Sequence, residues 1–198
     1  MRQNLVEAPV AVKRFREYVK PHDVVDPLNQ HWRGTLPELM SEIGFESLGI
    51  GENAVVFGHP TYPYVIKIFM KDTAYLRWVS FCMRHPRNRY VPKIRGKVIR
   101  ITESVMAIRM EKLHRRPTTM DYEYVAKLYE QADEYGEADA NEVVEYLEDN
   151  NSLLDLHNGN FLFDTKGQMK LIDPFYNYYR GGIFTINPND LSKLTHVF

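Results

Sequence analysis

Residues 154–175 read LDLHNGNFLFDTKGQMKLIDPF, and the fold turns on how this stretch divides. Asp155 is followed five residues later by Asn160, and Asp173 closes an apolar run. Between them the side chains alternate as a β-hairpin does: Phe161 and Phe163 lead out, Asp164-Thr165-Lys166-Gly167 turns, and Met169, Leu171 and Ile172 return. A hairpin of this length brings the loop before it and the strand end after it to one place.

Those three polar residues have the chemistry of a phosphoryl-transfer site. The transferred group asks little covalent work of a protein, so catalysis is positioning and charge stabilisation. One Asp orients or deprotonates the acceptor hydroxyl, while an Asn and a second Asp hold magnesium against the phosphates. Asp155, Asn160 and Asp173 fit those roles in that order. Magnesium prefers oxygen ligands and keeps several waters, so one carboxylate and one amide oxygen suffice from the protein. A D-x-x-x-x-N spacing alone is a weak signal and gains weight only in company.

Upstream, residues 48–57 read LGIGENAVVF. Gly49, Gly51, Ala54 and Val56 overlay G-x-G-x-x-G-x-V with Ala at the third Gly, and Val65-Ile66-Lys67 stands where V-A-I-K would. Glycines let a backbone approach phosphate oxygens, and a lysine on the next strand neutralises them. Singly, each piece has a bland explanation: a hairpin bend for the glycines, a snorkelling strand residue for Lys67. The order of all four pieces carries the reading.

Asp155-Leu156-His157-Asn158-Gly159-Asn160 resembles the catalytic loop of the eukaryotic-like protein kinase superfamily, and Asp173-Pro174-Phe175 resembles its metal-binding Asp motif. The D-L-H-x-G-N form is closer to aminoglycoside phosphotransferases and atypical kinases than to regulated protein kinases. Over about residues 45–195 the order and spacing are most similar to the early Ser/Thr protein kinases of T-seven-type podophages. The resemblance implies a phage origin, ATP and magnesium as cofactors, and protein substrates of the infected host cell, including its transcription and translation machinery. It implies Asp155 and Lys67 as catalytic residues and Asn160 and Asp173 as metal ligands. Gly49, Gly51, Ala54, Val56 and Lys67 would hold the nucleotide phosphates. A hinge at Met110, Glu111 and Leu113 would hold adenine through main-chain groups. His157 is left outside the catalytic set, as a brace for its loop.

The sequence also departs from that family. The helix expected over Asp72–Arg84 contains no Glu to pair with Lys67. Leu153-Leu154 replaces the His-Arg that precedes the catalytic Asp, Pro174 replaces the usual Phe, and no A-P-E signature follows. The expectation is a minimal kinase without phosphorylation-gated activation.

The remaining chain supplies a frame. With 198 residues, 44% hydrophobic, 13% aromatic and net charge −1, it is a soluble globular chain that offers no support for nucleic acid as main partner. Cys82 is the single cysteine, which excludes an internal disulfide, fits a reducing cytoplasm and reads as a small buried apolar residue. No run approaches a membrane span. A short amphipathic helix is expected over Pro9–Val19. A second runs from the capping box Thr35-Leu36-Pro37-Glu38 to a stop at Gly44.

Strands follow at 45–49, 54–58 and 64–69, and a hairpin at 98–102 and 104–110. On the helix after Asp72, two stripes are read, Leu76/Val79/Met83 and Tyr75/Trp78/Cys82. Further helices are expected from Thr118 to Tyr135, with Tyr122, Val125, Leu128, Tyr129 and Ala132 at helical spacing, and after an Asp139 cap, with Val143, Val144 and Leu147 inward. Most of the acids crowding them, a set that includes Glu137 and Glu142, read as a solvated face, with a docking surface for a basic partner as the minority reading.

The fold class expected is α+β, a two-lobed protein-kinase-like fold. Residues 1–34 form an extension, 35–113 an N-lobe of antiparallel sheet with one main helix, and 114–198 a reduced, mainly helical C-lobe. The function expected is an ATP-dependent Ser/Thr kinase. The alternatives are a pseudokinase that binds a host protein and a small-molecule phosphotransferase of the aminoglycoside type.

Overall fold

The computed structural model describes residues 35–51, 53–118, 120, 122–150 and 154–176, so the helix expected over Pro9–Val19 lies outside the described residues. These residues form a mixed α+β structure with a five-stranded sheet, a separate two-stranded hairpin and several helices. They divide into two compact units, one made of 35–71 and Arg95–Met110, the other of Asp72–Ile94 and 111–176.

The first unit opens on helix α1, Thr35–Glu42, with Pro37 in its first turn, where its missing N–H costs nothing. Its end is a Schellman turn: Gly44 N–H donates to the Ser41 carbonyl at 3.0 Å and Phe45 N–H to the Met40 carbonyl at 2.9 Å. Gly44 has φ +85°, and a Cβ there would lie 2.8 Å from the His59 ring, so both backbone and packing demand glycine. Strands β1 (Glu46–Ile50), β2 (Ala54–Gly58) and β3 (Tyr64–Met70) then pair antiparallel. A bulge in β1 between Ser47 and Gly49 leaves Leu48 exposed over Gly58.

Strands β4 (Ile94–Arg100) and β5 (Val105–Glu111) complete the sheet in the order β1-β2-β3-β5-β4. The strand β4 begins four residues before the expected Val98 and runs through Gly96, which holds φ +80°. Alternation sends Val55, Phe57, Ile66 and Ile68 to one face, where they pack with Leu36 and Met40 of α1, Phe45, Ile101 and Val105.

In the second unit, helix α2 (Thr73–Arg84) is capped by Asp72, whose carboxylate accepts from Ala74 N–H at 2.8 Å. It buries Tyr75, Trp78, Val79, Phe81 and Cys82 and leaves Met83 exposed. The stripe containing Met83 therefore yields to Phe81, whose ring stacks on Tyr146 with centroids 4.2 Å apart.

Helices α3 (Glu123–Asp133) and α4 (Ala138–Asp149) pack on each other, and β6 (Phe161–Phe163) pairs with β7 (Met169–Leu171) as the expected hairpin. Two helix starts differ from expectation. The first, α3, begins at Glu123 rather than Thr118, since Tyr122 takes a left-handed backbone at φ +59°. The second, α4, is capped by Glu137 rather than Asp139, with the Glu137 carboxylate accepting from Ala140 N–H at 2.9 Å. Val143, Val144 and Leu147 are buried as read.

Candidate functional site

In the first unit the candidate residues share one sheet face. The register sets Gly49 opposite Val56 and Val56 opposite Lys67, and directly opposed residues in an antiparallel pair point the same way. Ala54, Val56 and Lys67 thus lie on the face of β2 and β3 opposite the apolar core. Lys67 is 6% exposed, and among the described residues only Asn88 and Lys170 are polar and as buried. Neither Gly49 nor Gly51 has a positive φ. A Cβ at Gly49 would meet nothing within 4 Å, and one at Gly51 would make an ordinary contact with the Ala54 carbonyl at 3.6 Å. The fold itself gives no reason for glycine at these two places.

In the second unit, backbone bonds sew the loop of Asp155 and Asn160 to the strand end carrying Asp173. Asp155 N–H donates to the Pro174 carbonyl at 2.8 Å, Ile172 N–H donates to the Asn160 carbonyl at 2.8 Å, and Leu154 bridges Phe175. Asp155 and Asp173 therefore stand on adjacent segments, with Asn160 at the loop's far end. Asn160 Nδ2 donates to the Asp155 carbonyl at 2.7 Å. That bond orients the amide, whose Oδ1 is the acceptor atom. Carboxylate and amide oxygens are the donor types that a hard cation such as magnesium takes.

His157 braces the loop: its Nδ1 accepts from Gly159 N–H at 3.0 Å, and its Nε2 is 3.7 Å from the Asp155 carboxylate. The ring lies so close that a Cβ at Gly159 would be 2.7 Å from it.

The hinge residues divide between the units, with Met110 buried in the first and Glu111 and Leu113 half-buried in the second. Glu111 N–H donates to the Lys93 carbonyl at 2.9 Å, so only the carbonyl of Glu111 can serve a base. Its carboxylate, which the sequence reading passed over, accepts from Lys93 N–H at 2.9 Å and lies 3.4 Å from Lys170 Nζ.

Sequence reasoning missed Lys170, Asn88 and Asn158. Lys170 is a buried polar residue in β7 and Asn88 one in the segment after α2, and periodicity registers neither. Asn88 Nδ2 donates to the Asp139 carbonyl at 2.7 Å and to the Glu142 carboxylate at 2.8 Å. His85 lies 2.6 Å from the same carboxylate, and Arg89 pairs with Glu137 and Asp139. Glu137 and Glu142 are therefore not part of a solvated acidic face. They join α4 to the segment after α2.

No protein-family model matches the chain, and no curated protein matches it. Among the described residues, no helix is long and apolar enough to cross a membrane.

Proposed function

We propose that the chain is an ATP- and magnesium-dependent protein kinase acting on Ser/Thr hydroxyls. It would have a two-lobed kinase-like fold with an N-lobe over 35–113 and a reduced, mainly helical C-lobe over 114–198. The observation that carries this reading is the pinning of the Asp155–Asn160 loop to residues 172–175 by main-chain bonds. A positioned acid/base and its metal ligands need that rigidity, since small displacements at a reacting centre cost large factors in rate.

In this reading Asp155 takes the proton of the acceptor hydroxyl as the hydroxyl oxygen attacks the terminal phosphorus, the bond from that phosphorus to the bridging oxygen breaks, and ADP leaves. Lys67 neutralises the nucleotide phosphates, and the glycines at 49 and 51 admit the phosphate chain without a Cβ in its way. Met110, the Glu111 carbonyl and Leu113 hold the base. Magnesium, held by Asn160 and Asp173, would supply charge neutralisation on the phosphates. The substrates proposed are host-cell proteins met during phage infection, on the strength of the sequence resemblance. A non-catalytic pseudokinase that binds a host protein is the second reading, favoured by the absence of any Glu in α2.

The test is transfer from labelled ATP with magnesium, comparing wild type with Asp155→Ala on itself and on a bacterial lysate. Loss of a positioned acid/base group typically costs about a hundredfold or more. Equal labelling by the two proteins would overturn the assignment.

A further inference from the structure

Asn158 has no role in the reading above, yet its side chain joins the loop of Asp155 to a distant part of the chain. Its Oδ1 accepts from Tyr124 N–H at 2.9 Å, and its Nδ2 donates to the Met120 carbonyl at 2.6 Å. Tyr124 is the second residue of α3, so this bond satisfies one of the orphan N–H groups at a helix start. A helix ordinarily takes that bond from its own N-cap side chain. Tyr122, at the N-cap, makes no such bond and holds a left-handed φ of +59°, unusual for a bulky residue.

The cap of α3 has thus been moved onto the loop that carries Asp155. The turn it closes is otherwise tied to itself: the Tyr124 hydroxyl donates to the Arg116 and Pro117 carbonyls, each at 3.2 Å, and the Thr118 hydroxyl donates to the Glu123 carboxylate. Backbone bonds anchor the Asp155–Asn160 loop to the hairpin end, and the Asn158 side chain anchors it to a helix.

We propose that Asn158 is a positioning residue of the transfer reaction. It locks the loop to α3 and so holds the Asp155 carboxylate where the acceptor hydroxyl must arrive. This rests on the kinase reading above. Strain at Tyr122 is tolerated because the helix start and the catalytic loop are one hydrogen-bonded assembly.

The experiment compares Asn158→Ala with Glu137→Ala, each of which removes one helix cap from the same unit. Asn158→Ala is expected to lower kcat about tenfold or more with the KM for ATP within about twofold, since misplacement of a reacting group by 1 Å costs large factors in rate. Glu137→Ala should lower the Tm without changing kcat. Asn158→Asp keeps the acceptor for Tyr124 N–H and should recover part of kcat. Hydrogen exchange should show the amides of Asp155, Asn160 and Tyr124 becoming less protected together in Asn158→Ala. An unchanged kcat in Asn158→Ala, or an equal loss in Glu137→Ala, overturns the proposal. If wild type transfers no phosphate, the kinase reading fails on its own. Exchange then decides the coupling, and unchanged protection of Asp155 in Asn158→Ala overturns it.

Discussion

Lys170 shows how much a single side chain can organise. It stands on β7, 3% exposed, with Nζ 3.1 Å from the Val91 carbonyl, 3.2 Å from the Arg89 carbonyl and 3.4 Å from the Glu111 carboxylate. One residue on, Leu171 N–H donates to the Tyr90 carbonyl at 2.8 Å. The strand that leads to Asp173 is therefore tied to the segment before β4 and to the end of β5. A buried ammonium is tolerated only when acceptors surround it, and removing it strands the carboxylate it neutralised. Lys170→Ala is expected to cost about 3–5 kcal/mol, read from urea unfolding. A loss within a few tenths would mean that water reaches Glu111. Cys82, near this ammonium, behaves differently: burial pushes its thiol up, and it is a packed apolar residue rather than a nucleophile.

At the scale of elements, the helices are decided at their ends. The first, α1, carries its own Gly44 stop, and α2 carries its own Asp72 cap, both visible as residue types in the right place. For α4 the cap is Glu137. Burial alone pushes the Glu137 carboxyl up, but hydrogen bonds from Arg89 and from Ala140 and Asp139 N–H outweigh it, leaving its pKa below the ordinary 4.5. Such a group binds fewer protons folded than unfolded at acid pH, so its stabilisation is complete above 4.5 and is lost as pH falls through the folded value. Glu137→Gln should lower the Tm at neutral pH, by a stability loss on the order of 1 kcal/mol. The gap between the two proteins should then narrow as the pH falls below 4.5. A gap constant across that range would show that shape, and not charge, makes the cap.

At the scale of the whole molecule, the kinase reading demands that nucleotide binding stabilise the fold. A ligand at a hundred times its Kd adds about 2.7 kcal/mol to stability, so a non-hydrolysable ATP analogue with magnesium should raise the Tm measurably. Lys67→Ala should lose most of that increment whatever its own Tm, and absence of any shift in wild type at millimolar analogue would count against ATP as cofactor.

What the sequence determined by itself were the features written in neighbouring residues. They are the glycine stop at Gly44, the strand at 54–58, the 161–171 hairpin with its Asp164–Gly167 turn, and the meeting of Asp155 with the end of β7. Periodicity and turn chemistry act over a few residues, and the sequence shows them directly. Tertiary structure alone decided where α3 begins, because its cap is Asn158, 34 residues away. It alone decided that Glu142 serves Asn88, 54 residues away, and that Lys170 is buried against the Arg89 carbonyl, 81 residues away. A polar side chain in a strand or on a helix face reads as solvated until the fold brings a partner, and no local pattern records which partner that is.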